Sequence, residues 1–156
     1  LLADGVQILH VLGPKNIRGA TRITDELTGA SWLPMGYVDD MASAYAAADL
    51  MVARSGAGTV VETATVGLPT IYVPLPHGNG EQARNATSAV DAGAGVVVAN
   101  ADLDVERLLA ETARIHDADV LAQMSAAGRG LMPAHAAEEM AVRVISAATS
   151  IDPTIG

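Results

Sequence analysis

Apolar and polar positions alternate most clearly near the middle of the chain. Residues 50–53 form a short apolar run, which is typical of a buried strand. A turn containing Gly56 and Gly58 follows, and apolar positions then recur at helical spacing. The periodic segment stops at Gly67 and Pro69, a glycine C-cap signal followed by a proline. The pattern predicts a strand, a glycine turn and a helix.

Similar units flank this one on both sides. Strands are predicted at residues 7–12, 31–38, 70–73 and 95–99. Helices are predicted at residues 15–30, 39–48, 81–92, 102–112, 117–127 and 134–149. Asp39 and Asp102 are predicted N-caps, Gly128 is a predicted helix end, and Pro34 indicates an edge or strand-end position. Apolar strands that alternate with amphipathic helices predict an α/β fold, in which helices cover both faces of a parallel sheet.

Ligands of such sheets bind beyond the carboxyl ends of the strands. The glycine turn and a loop at residues 74–80, rich in glycine and proline, both lie at such ends. The first turn of a helix presents unpaired N–H groups and the positive end of the helix dipole, which suit a phosphate. Ser55 and Thr59 add hydroxyls, and Glu62 falls on the same helical face. The sequence therefore predicts a phosphate-binding turn with a carboxylate one turn further along.

A simpler interpretation exists for each of these residues. Hydroxyls and glycine commonly start helices, Glu62 could be an ordinary solvated position, and an acid such as Glu81 is favoured near any helix amino terminus. The combination favours a ligand site, because Glu81 and Gln82 follow the flexible loop. Together these groups would serve the pyrophosphate, ribose and hexose of a nucleotide-sugar.

Composition excludes several classes of protein. The 156-residue chain carries a net charge of −9 and contains one lysine, Lys15, which argues against general nucleic-acid binding. There is no cysteine, which removes disulfides, thiolate nucleophiles and cysteine-based zinc sites and weakly favours the cytoplasm. No uninterrupted apolar run is long enough to span a bilayer.

Other motifs give weaker signals. A dinucleotide fingerprint is incomplete, because Val61 stands where the third glycine is needed, and Lys15 lacks the glycine loop of a Walker A motif. The four histidines show no metal spacing, so no metal site is predicted. His77 lies in the loop, but the sequence places no carboxylate beside it. The pair Asp39 and Asp40 is better explained by helix capping than by acid–base chemistry.

Residues 38–62, the run Gly67-Leu68-Pro69 and residues 73–86 resemble the MurG family. Members of this family are UDP-N-acetylglucosamine (UDP-GlcNAc) transferases that convert lipid I to lipid II in peptidoglycan synthesis. The resemblance implies that residues 1–156 are a single UDP-sugar-binding domain with a Rossmann-like parallel sheet, the C-terminal half of a GT-B glycosyltransferase. It also implies that the first strand and the N-terminal acceptor domain are missing, which agrees with a chain that opens without methionine.

The resemblance places UDP-GlcNAc contacts on ten residues of this chain. In chain order they are Val38, Met41, Ser55, Gly56, Ala57, Gly58, Thr59, Glu62, Glu81 and Gln82. Backbone groups at Val38 would contact uracil, with Met41 packing nearby. The turn formed by residues 57–59 would bind the diphosphate, Glu62 the ribose, and Gln82 the sugar hydroxyls with help from Glu81. Gly58 replaces the larger apolar residue that is common in the family.

The family mechanism is inverting transfer. A hydroxyl of N-acetylmuramic acid attacks the anomeric carbon of the donor sugar, and UDP leaves. The resemblance implies no cofactor and no metal, and it places the general base and most of the contact with lipid I and the membrane in the missing domain. The full-length protein would then be peripheral at the cytoplasmic face of the plasma membrane, and the isolated fragment would be inactive.

Two alternatives stay open at this stage. Another GT-B enzyme that uses UDP-sugars, such as a glycolipid glycosyltransferase or an epimerase, would share the phosphate turn and Glu62. A stand-alone, non-catalytic module that binds nucleotide-sugars would share them as well.

Overall fold

The computed structural model describes residues 1–77, 79–131 and 135–149, without the side chain of Thr149. The chain forms two compact units, Leu1–Ala48 and Asp49–Gly156, and each is considered by itself.

The first unit contains a small mixed sheet. After a short 3-10 helix at Leu2–Asp4, its elements are β1 (Ile8–Val11), β2 (Ile23–Thr24), β3 (Ser31–Met35) and α1 (Met41–Ala47). The strand order is β1-β3-β2, with β1 parallel and β2 antiparallel to β3. The predicted strands at residues 7–12 and 31–38 are confirmed in shorter form.

The helix predicted at residues 15–30 is wrong. Gly19 and Gly29 have φ angles of 78° and 72°, in the left-handed region that an α-helix interior does not contain. Between them, the Asp25 carboxylate accepts bonds from the N–H groups of Leu27 and Thr28 at 3.0 and 2.9 Å. The N–H and hydroxyl of Thr28 lower the pKa of Asp25. Local side-chain bonds of this kind favour turns over helix.

Pro34 occupies a central strand and still loses no bond to β2. β3 pairs with β1 along its length, whereas β2 is so short that it pairs only with Ser31 and Trp32. The side of β3 that faces β2 is therefore unpaired at Pro34, where the missing N–H costs nothing.

Helix α1 is capped one residue later than predicted. The carboxylate of Asp40, not Asp39, accepts from the N–H of Ser43 at 3.0 Å and from its hydroxyl at 2.6 Å. The Ser43 hydroxyl and N–H lower the pKa of Asp40.

The second unit is built on a parallel sheet. Among the described residues its strands are β4 (Met51–Ala53), β5 (Thr70–Tyr72) and β6 (Gly95–Val97), in the order β4-β5-β6. Its helices are α2 (Ala57–Val66), α3 (Glu81–Asp91), α4 (Val105–Ile115), α5 (Ala118–Arg129) and α6 (Ala136–Thr149). The predicted strand, turn and helix around residue 56 are confirmed.

Side chains of β5 alternate between two hydrophobic clusters. Tyr72 packs with Val60 of α2 and Ala86 of α3. Its neighbours in sequence join the second cluster, which includes Ile115 of α4 and Met124 of α5. Since successive strand residues point to opposite faces, helices cover both faces of this sheet, as the sequence predicted.

A buried hydroxyl pair fixes α2 on the sheet. The Tyr72 hydroxyl lies 2.8 Å from Oγ1 of Thr63, which also donates to the carbonyl of Thr59 at 2.8 Å. Gly95 leaves room for the Tyr72 ring, because a Cβ there would lie 2.6 Å from Cε2 of Tyr72.

Two predicted helix boundaries are wrong. The N-cap of α4 is Asp104, which accepts from the N–H of Arg107 at 2.7 Å, and not Asp102. Helix α5 does not end at Gly128 but continues to Arg129. A Cβ on Gly128 would lie 3.4 Å from the carbonyl of Ala64, so this glycine permits close approach to α2.

The inward face of α4 agrees only in part with the apolar spacing of the sequence. That spacing predicts an inward face made of Val105, Leu108, Leu109 and Thr112. Leu108 and Thr112 are half-buried, but Val105 and Leu109 are exposed, and Glu111 and Ile115 are buried instead. On α6 the sequence spacing predicts an apolar stripe, and three of its members, Met140, Val144 and Ile145, are exposed. Ala134, the predicted first residue of α6, lies outside the described residues.

Candidate functional site

The first turn of α2 is open to a ligand. Its N-cap is Gly56, in an extended conformation with φ −62° and ψ 149°, which has no side chain with which to cap the helix. The first-turn N–H groups of Ala57, Gly58 and Thr59 therefore donate no hydrogen bond to a side chain of the N-cap residue. Ala57 and Gly58 are exposed. Gly56 starts the helix, as the simpler interpretation also expects, and it supplies no side-chain cap to the N–H groups at the positive end of the helix dipole.

Ser55 lies next to this turn and is fully buried. Its Oγ has no hydrogen-bond partner among the described residues, although buried hydroxyls nearly always have one. Its backbone carbonyl, in contrast, accepts from Nδ2 of Asn85 at 3.1 Å. The hydroxyl thus retains both its donor and its acceptor capacity immediately before the open helix end.

Thr59 and Glu62 lie beside the two glycines of the turn. Oγ1 of Thr59 is 4.0 Å from the position that a Cβ on Gly56 would take. Oε1 of Glu62 is likewise 4.0 Å from the Cβ position of Gly58. Glu62 is exposed, and an alanine in place of Gly58 would meet its carboxylate at ordinary contact distance.

Helix α3 brings a second set of groups to the carboxyl ends of the strands. Oε1 of Gln82 accepts from the N–H of Leu75 at 2.9 Å, which fixes the orientation of the side-chain amide. The amide nitrogen of Gln82 then keeps its donors. Glu81 is the exposed first residue of the helix. Asn85, one turn later, makes the bond to Ser55, so the start of α3 is tied to the turn before α2.

Val38 and Met41 belong to the first unit. Val38 lies between β3 and α1, Met41 is the first residue of α1, and both are half-buried. The structure thus groups eight of the ten predicted residues within the second unit and describes these two separately.

Sequence reasoning missed two contributors. Asn85 follows Gln82 by three residues, so helical spacing alone could have placed both on one face of α3. Arg54 bonds to two carbonyls and to Asn100, which is 46 residues away in the sequence. No local signal indicates such a contact.

Two further findings concern the described part of the chain. It contains no cluster of three or more His, Asp or Glu side chains that could hold a metal ion. None of its helices is long and apolar enough to cross a membrane.

The second unit is therefore a Rossmann-like α/β unit, with a parallel sheet between helices and its candidate ligand groups at the carboxyl ends of β4 and β5. The sequence model of the Glycosyltransferase family 28 C-terminal domain matches residues 1–141. The chain belongs to this family.

Relatives of known name agree with this assignment. A "UDP-N-acetylglucosamine--N-acetylmuramyl-(pentapeptide) pyrophosphoryl-undecaprenol N-acetylglucosamine transferase" of Nocardioides sp. is 45% identical over 90% of this chain and 39% of its own length. The protein of the same name from Mycolicibacterium paratuberculosis is 50% identical over 81% of this chain and 31% of its own length. The chain thus spans roughly two fifths or less of these two relatives.

A solved structure points the same way. The crystal structure of Acinetobacter baumannii MurG superposes with a TM-score of 0.70 and 28% identity, over 76% of this chain and 36% of that chain. The resemblance to the MurG family and the GT-B fold class are confirmed.

Proposed function

We propose that the chain is the UDP-GlcNAc-binding domain of an inverting glycosyltransferase, which transfers N-acetylglucosamine to lipid I and so makes lipid II in peptidoglycan synthesis. The names of the relatives support the reaction. The observation that carries the site is the first turn of α2, which has no side-chain cap, beside the buried hydroxyl of Ser55, which has no hydrogen-bond partner in the described part of the chain.

The diphosphate binds at this turn. The N–H groups of Ala57, Gly58 and Thr59 donate to phosphate oxygens, with Ser55 and Gly56 alongside. Bonds from N–H groups to an anion are shorter and stronger than neutral ones, and the helix dipole adds to them. Such a local arrangement suits a chain with a net charge of −9, whose overall field does not attract anions.

The rest of the donor occupies the neighbouring groups. The carboxylate of Glu62 accepts from the ribose hydroxyls, since one carboxylate can take two such bonds. The amide nitrogen of Gln82 donates to the sugar hydroxyls, with Glu81 beside it. For the uracil, we propose contacts from backbone groups at Val38, with Met41 packing nearby.

In the transfer step, the acceptor hydroxyl attacks the anomeric carbon, the bond from this carbon to the phosphate oxygen breaks, and UDP leaves with the bonding electrons. Negative charge grows on the departing diphosphate, where the amino terminus of α2 stabilises it. The general base takes the proton of the acceptor hydroxyl, and we propose that this base and the lipid I site lie in a part of the full-length protein outside this chain. No metal and no cofactor take part in the proposed transfer step.

Because donor and acceptor must be held together, the isolated chain turns over no lipid I. The acceptor in the relatives' names is linked to undecaprenol, a membrane lipid. We therefore place the full-length enzyme at the cytoplasmic face of the membrane, in contact with it mainly through the part outside this chain.

Calorimetry with UDP, uridine, UDP-GlcNAc and UDP-glucose tests the site. UDP should bind better than uridine, and UDP-GlcNAc better than UDP-glucose. We propose that the Thr59 hydroxyl also donates to the phosphate. Thr59→Val removes this hydroxyl and should weaken UDP by about 0.5–1.5 kcal/mol, the net value of one neutral hydrogen bond, or by more where the phosphate charge assists, without changing uridine. The valine leaves the Thr59 carbonyl free to accept from Thr63.

Thr65→Val is the matched control, since Thr65 on the same helix bonds only to the carbonyl of Val61 among the described contacts. Equal losses for uridine and UDP in Thr59→Val would overturn the phosphate assignment. Equal affinity for UDP-glucose and UDP-GlcNAc would favour another GT-B enzyme.

A further inference from the structure

A single nitrogen of Arg54 holds the segment at residues 73–75. Nη1 of Arg54 lies 3.1 Å from the carbonyl of Val73, 3.3 Å from the carbonyl of Pro74 and 2.7 Å from Oδ1 of Asn100. Arg54 follows β4, Val73 follows β5, and Asn100 lies beyond β6. The contact therefore joins the carboxyl ends of three parallel strands.

The backbone of this segment depends on side chains for its remaining bonds. The last ladder bond of β5 runs from the N–H of Val73 to the carbonyl of Ala53 at 2.8 Å. Pro74 has no N–H to donate. The next fixed backbone groups are the two carbonyls held by Arg54 and the N–H of Leu75, held by Gln82.

The contact with Asn100 is the shortest of the three contacts that Nη1 of Arg54 makes, and we infer that it contributes most to the orientation of the guanidinium. Nη1 carries two N–H groups for three acceptors, so at least one bond is shared. The Asn100 oxygen at 2.7 Å takes the best of them. Without this oxygen the guanidinium keeps only the two longer bonds, to the carbonyls of Val73 and Pro74.

We propose that Arg54 and Asn100 are positioning residues for the sugar end of the donor: they hold residues 73–75 so that the N–H of Leu75 orients the amide of Gln82 toward the sugar. This inference rests on the proposed role of Gln82. Arg54 and Asn100 act through the loop and touch no part of the donor themselves. Asn85 ties the other side of the site through a separate bond, to the carbonyl of Ser55.

The test measures two quantities in the natural full-length protein that carries this chain and in three variants. The first is hydrogen exchange at the Leu75 amide without ligand. The second is the ratio of the affinities for UDP-GlcNAc and UDP. The variants are Arg54→Met, Asn100→Ala and Asn100→Asp, because aspartate keeps an acceptor oxygen in place. Arg143→Met on α6 controls for the loss of a positive charge.

Arg54→Met should speed Leu75 exchange by up to about tenfold, the equivalent of about one net hydrogen bond. Asn100→Ala should have a smaller effect, and Asn100→Asp and Arg143→Met none. The preference for UDP-GlcNAc over UDP should fall in the same order, while UDP affinity stays unchanged.

Leu75 exchange that stays at the parent rate in Asn100→Ala and Arg54→Met would overturn the proposal. Faster exchange with an unchanged affinity ratio would also overturn it, since the contact between Arg54 and Asn100 would then have no effect on binding of the sugar. A parent protein with no preference for UDP-GlcNAc over UDP would instead refute the proposed role of Gln82. Leu75 exchange would still decide whether Arg54 and Asn100 hold residues 73–75 in place.

Discussion

Replacing Gln82 with glutamate separates its two proposed tasks. In the structure Oε1 of Gln82 accepts from Leu75 at 2.9 Å, while the amide nitrogen keeps its donors for the sugar. Glutamate has nearly the same shape, retains an acceptor for Leu75 and loses both donors. The loop should stay in place, and only the sugar contact should be lost. The cost should be that of one neutral hydrogen bond, about 0.5–1.5 kcal/mol, or roughly 2- to 10-fold in affinity.

Calorimetric titrations with UDP and UDP-GlcNAc measure this loss. Any repulsion between the new carboxylate and the diphosphate affects both ligands, so the ratio of the two affinities isolates the sugar contact. Gln82→Leu is the comparison variant, because it removes the bond to Leu75 as well and should lower the ratio further. An unchanged ratio in Gln82→Glu would show that the amide donors do not touch the sugar.

Two other predictions follow from the same unit. Glu62→Ala should abolish the preference for UDP over 2′-deoxy-UDP, which should be about tenfold if the carboxylate accepts from the 2′-hydroxyl; a folded Glu62→Ala protein that keeps the full preference would contradict this assignment. Gly95→Ala should destabilise the protein by about 1–3 kcal/mol in urea unfolding, because its Cβ would lie 2.6 Å from the Tyr72 ring and 2.8 Å from the Thr70 carbonyl. Gly58→Ala, whose Cβ would meet only Glu62 at 4.0 Å, should cause no such loss, and equal stability of both variants would refute the argument.

The sequence was most informative in the second unit. Short apolar runs bounded by glycine and proline placed β4, β5 and β6, and helical spacing placed the helices between them. The turn before α2 could also be predicted locally. Gly56 is the N-cap of this helix and has no side chain that could cap it. Strand ends, helix spacing and helix starts depend on residues close together in the sequence, so they can be predicted from it.

Prediction failed where distant or competing contacts decide the conformation. The segment around Asp25 contains residues that a helix tolerates, but the bonds of Asp25 to Leu27 and Thr28 and the pairing of β2 with β3 prevail. Gly128 was predicted to end a helix. Instead it lies within α5, where the lack of a side chain lets the helix approach the carbonyl of Ala64. The hydrogen bond from Arg54 to Asn100 joins residues that are 46 positions apart, and the sequence around neither residue predicts it.

The central claim is that the first turn of α2 binds the diphosphate of a UDP-sugar through its backbone. Ala57 is the first residue of this helix, a position where proline is well tolerated, and Gly56 has the extended backbone that a residue before proline requires. Ala57→Pro therefore removes one N–H from the proposed phosphate site without breaking the helix. Val105→Pro is the matched control, since Val105 begins α4 after the extended residue Asp104.

The deciding measurement is the affinity of both variants for UDP and uridine, together with their melting temperatures. Ala57→Pro should melt no lower than the parent and bind UDP tenfold or more weakly, since a bond to a charged group contributes about 1.5–3 kcal/mol. Its affinity for uridine should not change, and Val105→Pro should bind both ligands like the parent. A folded Ala57→Pro protein that binds UDP as tightly as the parent would contradict the claim that this helix end holds the diphosphate.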